Sequence, residues 1–201
     1  MRSRSPSPKR PARARLAPAC IALVAMLTAP IATTAAVVEG VAFEERVRTG
    51  DVELDLYGAA LLRYRVVFRA YVAALYVAEP DHARNVLDDV PKRLELSYFW
   101  PIAGEDFGPA AETILARTLS DAELASLRER LDRLHRAYRD VEPGDRYTLT
   151  YVPGRGTELA LNGRTIATVE GADFARAYFG IWLGEKPLDA GLRDALLGGQ
   201  T

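Results

Sequence analysis

The chain has 201 residues, of which 49% are hydrophobic, and its formal net charge is −1. This length and composition suit one folded domain with an appendage and exclude a largely disordered chain. The charge is uneven, because residues 1–36 carry six Lys and Arg and no acid, which leaves 20 basic against 27 acidic residues in the remainder. A mildly acidic domain lacks the clustered Lys and Arg that phosphate contacts require, so nucleic acid is excluded as a partner.

The N-terminal segment has the three parts of an export signal. A basic stretch at residues 2–15 precedes an apolar run at residues 16–32, and small residues follow at 34–36. That order is typical of a secretory signal peptide. We therefore expect residues 1–36 to be the signal peptide and residues 37–201 to be the mature domain.

The apolar run also bears on the compartment. Pro18 and Pro30 bracket it and leave it too short to span a bilayer, so we expect no stable membrane span after cleavage. The one cysteine, Cys20, lies inside this run, which excludes disulfides, thiol catalysis and cysteine-ligated metal from the mature domain. We expect a periplasmic or secreted protein whose stability comes from its core.

The first half of the mature chain predicts strands. Residues 41–57 alternate between apolar and polar side chains, with a turn signal at 49–51. Residues 61–77 are rich in Val, Tyr and Phe and are predicted to be extended, and residues 92–100 alternate again. Between these two segments, residues 82–88 are predicted to form a short helix.

Two helices follow in the prediction. The first covers residues 106–119, and Ser120 with Glu123 forms a capping box that starts the second. Apolar residues recur in the second helix at three- and four-residue spacing, which predicts one buried face. These residues are Leu124, Leu127, Leu131, Leu134 and Tyr138.

The last third returns to strands and then to helices. Residues 147–151 alternate, and Asn162-Gly163 between two further runs is a strong hairpin signal because both residues accept positive φ. Residues 172–183 are predicted to be helical, and Asp189 is predicted to cap a last short helix. Without strand–helix–strand alternation, these elements predict an α+β fold, with a mostly antiparallel sheet and helices packed on one face.

Most catalytic signatures are absent from the sequence, including a nucleophile-elbow serine, a zinc-type histidine motif and a Walker loop. His82 and His135 lie in different predicted elements, and His135, beside the apolar stripe of the second helix, is predicted to be structural rather than a general base. The Gly-Arg-Gly at 154–156 lies between two strands and is interpreted as a hairpin turn rather than a phosphate loop. We expect no metal and no cofactor.

Three arginines interrupt an otherwise apolar extended segment, at positions 63, 65 and 69. Arginine in such a segment needs a carboxylate or solvent as its partner, because an unpaired buried charge is costly. Two interpretations stay open. In the first, the segment is an edge strand with one solvent-exposed face. In the second, a guanidinium group lies at the end of an apolar cleft and binds a ligand carboxylate or enolate-like oxygen.

Residues 58–63 (Gly-Ala-Ala-Leu-Leu-Arg) and residues 68–77 (Phe-Arg-Ala-Tyr-Val-Ala-Ala-Leu-Tyr-Val) resemble the chalcone isomerase-like superfamily. The resemblance covers nearly all of residues 38–198 and fits the bacterial exported branch best. It implies an open-faced β-sandwich, in which helices pack over a large sheet and a ligand cleft lies between them. Further stretches agree with it, at residues 143–145, 161–163, 179–187 and 196–198.

The resemblance also implies a site. Plant isomerases of this superfamily polarise the substrate with a strand arginine and a nearby hydroxyl, and related plant members bind fatty acids through an arginine and a tyrosine. Arg63 matches the arginine, and Tyr71 matches the hydroxyl position as the fatty-acid-binding type does. The helix Tyr and Asn of the plant isomerases have no match within residues 119–133.

The resemblance therefore implies a monomeric binding protein for a fatty acid or another small apolar carboxylate, held by Arg63 and Tyr71. Two alternatives remain. One is an isomerase of the intramolecular lyase type that acts on a chalcone-like or enone substrate, with Arg63 stabilising negative charge on oxygen. The other is a non-enzymatic envelope interaction protein whose cleft is closed by side chains.

Geometry sets a condition on this site. On one straight strand, Arg63 and Tyr71 would share a face but lie about 26 Å apart at ~3.3 Å per residue. They can hold one carboxylate only if the chain reverses near residues 66–68, where no Gly or Pro marks a turn. Trp182 is assigned to core packing, with no role in the site.

Overall fold

The computed structural model describes residues 35–64 and 68–198, and within them the chain forms nine strands and four helices. The predicted signal peptide lies outside the described residues except for Ala35 and Ala36, which belong to the first strand. The elements in chain order are β1 (Ala35–Val38), β2 (Val41–Glu44), β3 (Arg46–Thr49), β4 (Val52–Tyr64), β5 (Phe68–Val77), β6 (Lys92–Tyr98), α1 (Gly104–Leu115), α2 (Asp121–His135), β7 (Arg146–Val152), β8 (Gly156–Leu161), β9 (Arg164–Val169), α3 (Ala172–Leu183) and α4 (Ala190–Leu196).

Strands β3 to β9 form one seven-stranded sheet in sequence order, and every neighbouring pair is antiparallel. Strands β1 and β2 form a separate two-stranded ribbon. The main core joins one face of the sheet to residues of all four helices, and a smaller cluster around Phe43 lies on the other face. This arrangement confirms the predicted α+β open-faced sandwich. None of the helices in the described ranges is long and apolar enough to cross a membrane.

Strand β5 is buried on both faces. Tyr71, Ala73 and Leu75 belong to the helix-side core, whereas Val72 and Tyr76 belong to the cluster on the other face. Successive side chains of a strand point to opposite faces, so a strand covered on both sides is apolar at every position. This explains why the sequence of β5 shows no alternation.

Several local predictions are confirmed. Ser120 and Glu123 form the capping box at the start of α2, and Asp189 caps α4 through the backbone N–H of Leu192 at 2.7 Å. Asn162 and Gly163 adopt φ values of 49° and 79° in the hairpin between β8 and β9. These features depend on neighbouring residues alone, which is why the sequence reveals them.

Three predicted elements differ from the structure. The extended segment 61–77 is not one strand, because β4 ends at Tyr64 and β5 begins at Phe68. The short helix predicted at 82–88 is a 3₁₀ turn at Pro80–Ala83, where proline occupies the first helical turn. Helix α1 begins and ends earlier than predicted, at Gly104 and Leu115.

Candidate functional site

A cavity of about 210 Å³ lies between the sheet and helices α1 and α3. Its lining is almost entirely apolar or aromatic, and Asp106, on the exposed side of α1, is its one charged residue within the described ranges. An apolar cavity with a few polar groups is the usual form of a small-molecule site. The lining residues are Tyr71, Leu96, Tyr98, Ile102, Asp106, Phe107, Ala110, Ala111, Ile114, Tyr138, Tyr147, Leu149, Leu159, Tyr178, Ile181, Trp182 and Leu188.

The spacing of residues along α1 and α3 shows which side chains form the helix side of the cavity. Phe107, Ala111 and Ile114 recur along α1 at four- and three-residue spacing, so they share the face that looks onto the sheet. Tyr178 and Trp182 of α3 are four residues apart and lie on one face in the same way. The sheet supplies the floor through inward-facing residues of β5 to β8. Most of the lining therefore belongs to helices and strands rather than to connecting segments.

Three tyrosine hydroxyls in the lining form hydrogen bonds with other groups of the protein. The Tyr147 hydroxyl donates to the carbonyl oxygen of Arg139 at 2.9 Å and accepts from its N–H at 2.8 Å, so its proton is committed to the backbone. The hydroxyls of Tyr138 and Tyr178 lie 3.0 Å apart, and one donates to the other. That pair keeps one proton for a further acceptor.

The Tyr71 hydroxyl is oriented by Trp182. The indole Nε1 donates to the Tyr71 hydroxyl oxygen at 2.9 Å. Because an indole N–H can only donate, Tyr71 is the acceptor in this bond and its own proton is free for another oxygen. Burial raises the pKa of Tyr71 above its ordinary value, so the hydroxyl is neutral at physiological pH and acts as a donor.

Tyr98 lies beside Tyr71. The two residues are direct partners across β5 and β6, and their ring centroids are 5.5 Å apart in an edge contact. Burial also raises the pKa of Tyr98 well above its ordinary value. Within the described residues its hydroxyl has no hydrogen-bonded protein partner. Tyr71 and Tyr98 therefore offer two neutral donors to the same apolar space.

The structure does not bring Arg63 to Tyr71. Arg63 is half-exposed and pairs with Glu39 at 3.2 Å. The same carboxylate binds Arg69 at 3.4 Å, and the Arg69 guanidinium lies 4.6 Å from the ring centroid of Phe99, which packs in the cluster on the sheet face away from the helices. Arg63 is not part of the cavity lining, and its role as a ligand contact stays a prediction.

The chain does reverse where the predicted site required it, but the register turns Arg63 away. Leu62, not Arg63, stands directly across from Tyr71, and the ladder shifts by one residue between Leu62 and Arg63. Leu62 packs against the helix-side core. Since neighbours on a strand face opposite sides, Arg63 points to the face that carries Glu39.

Sequence reasoning missed the contribution of Trp182. The residue does pack against the core as predicted, but it also lines the cavity and holds the Tyr71 hydroxyl. One signal could have revealed it, because a buried tryptophan N–H needs an acceptor and Tyr178, four residues earlier, marks the same helix face as aromatic.

The remaining chemical candidates lie elsewhere. His135 is packed in the α1–α2 contact, with Nδ1 3.6 Å from Glu112, and burial lowers its pKa. The Gly-Arg-Gly segment forms the turn between β7 and β8, as predicted. Over the described ranges, no group of three potential metal ligands converges.

Comparisons with known proteins agree with this architecture. A family model described as chalcone isomerase-like matches residues 35–198. The crystal structure of a fatty-acid binding protein from Arabidopsis thaliana is similar to this fold, with a TM-score of 0.63 and 15% sequence identity. The match covers 82% of this chain and 96% of that chain. None of the curated proteins compared with the chain matches it.

Proposed function

The chain belongs to the chalcone isomerase-like family, and from this premise we propose that it binds a fatty acid or another apolar carboxylic acid in the cavity between sheet and helices. The observation that carries this proposal is the placement of the Tyr71 hydroxyl, held by Trp182 with its own proton free, in a lining otherwise dominated by apolar groups. The similarity in fold to a plant fatty-acid binding protein supports the same class of ligand.

The head group is held by hydrogen bonds from neutral hydroxyls in this proposal. Tyr71 and Tyr98 stand next to each other across the ladder and supply the donors. No Lys, Arg or His belongs to the described lining. A ligand carboxyl in this place is therefore recognised through its oxygen atoms rather than through an ion pair. Arg63 would have to leave Glu39 to contribute.

The cavity volume indicates the length of the apolar tail that fits inside. A cavity of roughly 150 Å³ takes the six carbons of benzene, so by proportion this one holds about eight carbons. Its volume of about 210 Å³ thus matches a medium-chain acid such as octanoic acid. A longer chain would extend past Leu188, which is 39% exposed.

The test is a titration of the mature domain with octanoate, followed through Trp182 fluorescence. The indole lines the cavity, so a bound ligand changes its surroundings directly. The chain has one other tryptophan, Trp100, whose signal is removed in a Trp100→Phe background. A saturable change at one ligand per protein supports the proposal, and a fluorescence unaffected by octanoate and by longer acids contradicts it.

We also propose that the protein works outside the cytoplasm. Support comes from the order of basic, apolar and small residues in segment 1–36. Cleavage after Ala36 would cut β1, whose residues 35–38 pair with β2. N-terminal sequencing of the protein recovered from an envelope fraction tests this proposal, and an uncleaved N-terminus in the cytosolic fraction contradicts it.

A further inference from the structure

A second, polar cavity of about 450 Å³ lies on the face of the sheet away from the helices. Its floor is formed by β5, β6 and β7, and Glu44 and Val47 lie at its rim. Unlike the cavity at Tyr71, this space is dominated by charged and hydrogen-bonding groups. The lining residues are Glu44, Val47, Tyr76, Arg93, Glu95, Gly144, Arg146, Thr148, Asn162 and Gly163.

One carboxylate and two guanidinium groups meet in the floor. Glu95 is 4% exposed and pairs with Arg93 at 3.1 Å and with Arg146 in a short contact. Arg146 is held further by the carbonyl oxygen of Ala42 at 3.1 Å and by the ring of Phe43 at 4.9 Å. In the floor, two partly exposed guanidinium groups therefore share one buried carboxylate, whereas the other carboxylate of the lining lies exposed at the rim.

Two buried donors in this cavity lack a partner among the described residues. They are the hydroxyl of Tyr76, whose side chain is fully buried, and Nε of Arg93. The two residues are direct partners across β5 and β6, so their side chains lie next to each other on the same face of the sheet. Burial raises the pKa of Tyr76, which keeps its hydroxyl protonated. A buried donor without an acceptor costs free energy comparable to a lost hydrogen bond.

These observations call for an acceptor oxygen. An oxygen atom that accepts from Tyr76 and Arg93 would satisfy both donors, and a guanidinium N–H bonds most strongly to an ionised acceptor such as a carboxylate. The rest of the lining, which includes Thr148 and Asn162, is polar and suits a small hydrophilic molecule. We propose that this cavity is a second binding site, for a small polar carboxylate whose oxygen atoms accept from Tyr76 and Arg93.

The test uses acetate as the probe and the Nε–H cross-peak of Arg93 as the readout, assigned by its absence in Arg93→Lys. Titration of the whole mature domain with sodium acetate gives a saturable shift of this cross-peak, whereas sodium chloride at equal ionic strength does not. Equal, non-saturating shifts with both salts would overturn the proposal.

Matched variants distinguish a direct effect on acetate binding from a general effect of losing a buried hydroxyl. Tyr76→Phe removes one donor to the carboxylate and lowers the acetate affinity about tenfold. Thr157→Val removes a buried hydroxyl that also lacks a partner but lies outside this cavity, and it leaves the affinity unchanged. An unchanged affinity in a folded Tyr76→Phe variant would overturn the proposal.

A rim variant gives a second test that does not depend on Tyr76. Glu44 lines the cavity from an exposed strand, and its negative charge repels an incoming carboxylate. Glu44→Gln therefore raises the acetate affinity by several-fold at low salt. An affinity that stays the same or falls in this variant would contradict an anion site here.

Discussion

The indole Nε1 of Trp182 on α3 donates a hydrogen bond of 2.9 Å to the hydroxyl oxygen of Tyr71 on β5. This bond joins the helix layer to the sheet at the cavity. Because the indole N–H is the donor, the hydroxyl proton of Tyr71 remains free to bond another acceptor. In the proposed complex, the Tyr71 hydroxyl is therefore oriented before the ligand arrives. Such preorganisation lowers the entropic cost of binding.

Tyr71→Phe tests the hydroxyl as a ligand contact. The ring and its edge contact with Tyr98 are retained, but the donor to the ligand is lost. We expect the octanoate affinity to fall about tenfold, since one hydrogen bond contributes roughly 1–1.5 kcal/mol. We also expect some loss of stability, because Trp182 loses its acceptor. Isothermal titration and thermal unfolding measure the two effects.

Tyr151→Phe is the matched control for this variant. Tyr151 is buried on the same face of the sheet, and its hydroxyl donates to Asp89 outside the cavity. We expect a change in stability without a change in octanoate affinity. Equal losses of affinity in the two variants would show that the effect of Tyr71→Phe is not a direct contact.

Arg63→Ala tests the role that the sequence predicts for this arginine. Its guanidinium is half-exposed and pairs with Glu39, so we expect unfolding to become easier by at most about 1 kcal/mol. We expect no change in octanoate affinity, because Arg63 does not line the cavity. A loss of binding would show that Arg63 leaves Glu39 to contact the ligand.

The sequence predicts the fold well and the site only in part, for reasons that lie in particular residues. The Asn162-Gly163 hairpin and the Ser120 cap depend on short stretches of chain, so their sequences suffice. The face of Arg63 relative to Tyr71 depends on the register set by the reversal after β4, in which Leu62 stands across from Tyr71. No local signal encodes that register, yet a slip of one residue exchanges the two faces of a strand.

Gly58→Ala tests why glycine stands at the first position of the segment 58–63, which resembles the chalcone isomerase-like superfamily. A Cβ at Gly58 would lie 2.4 Å from the carbonyl oxygen of Leu196 and 2.8 Å from that of Ala195. We expect a loss of roughly 2–4 kcal/mol in the free energy of unfolding, because backbone atoms at the end of α4 must move. Thermal unfolding measures this loss.

Gly180→Ala supplies the control for that substitution. Gly180 lies inside α3, and a Cβ there meets nothing within 4 Å. We expect it to be neutral or to stabilise the protein by up to about 1 kcal/mol, as alanine does in a helix. If the two alanine variants unfold at the same temperature, steric contact with α4 is not the reason for Gly58.

The burial of Lys92 leads us to expect that the free energy of unfolding rises with pH. Its side chain is fully buried, and Nζ donates to the carbonyl oxygens of Asp88 and Val90 at 2.7 and 3.0 Å. Burial lowers the pKa of Lys92 to about 8. Above that pH the unfolded chain holds a proton that the folded chain has lost, so the free energy of unfolding rises by up to about 1.4 kcal/mol per pH unit.

Chemical denaturation between pH 7 and 8.5 measures this rise. At higher pH the tyrosines of the unfolded chain ionise while the buried tyrosines stay protonated, which lowers the free energy of unfolding. Lys92→Met keeps the length of the side chain without the amine, and we expect it to remove the rise. A parent protein whose stability is flat or falling over this range would contradict the lowered pKa.

The most direct test of the ligand cavity is native mass spectrometry of the mature domain and of Ala111→Phe after incubation with octanoate. Ala111 is buried on α1 and lines the cavity, so a phenyl ring there fills the space while every hydrogen-bonding group remains. We predict one bound octanoate in the parent and an empty, folded variant, as judged by circular dichroism. Equal occupancy in both proteins, or none in either, would contradict the account.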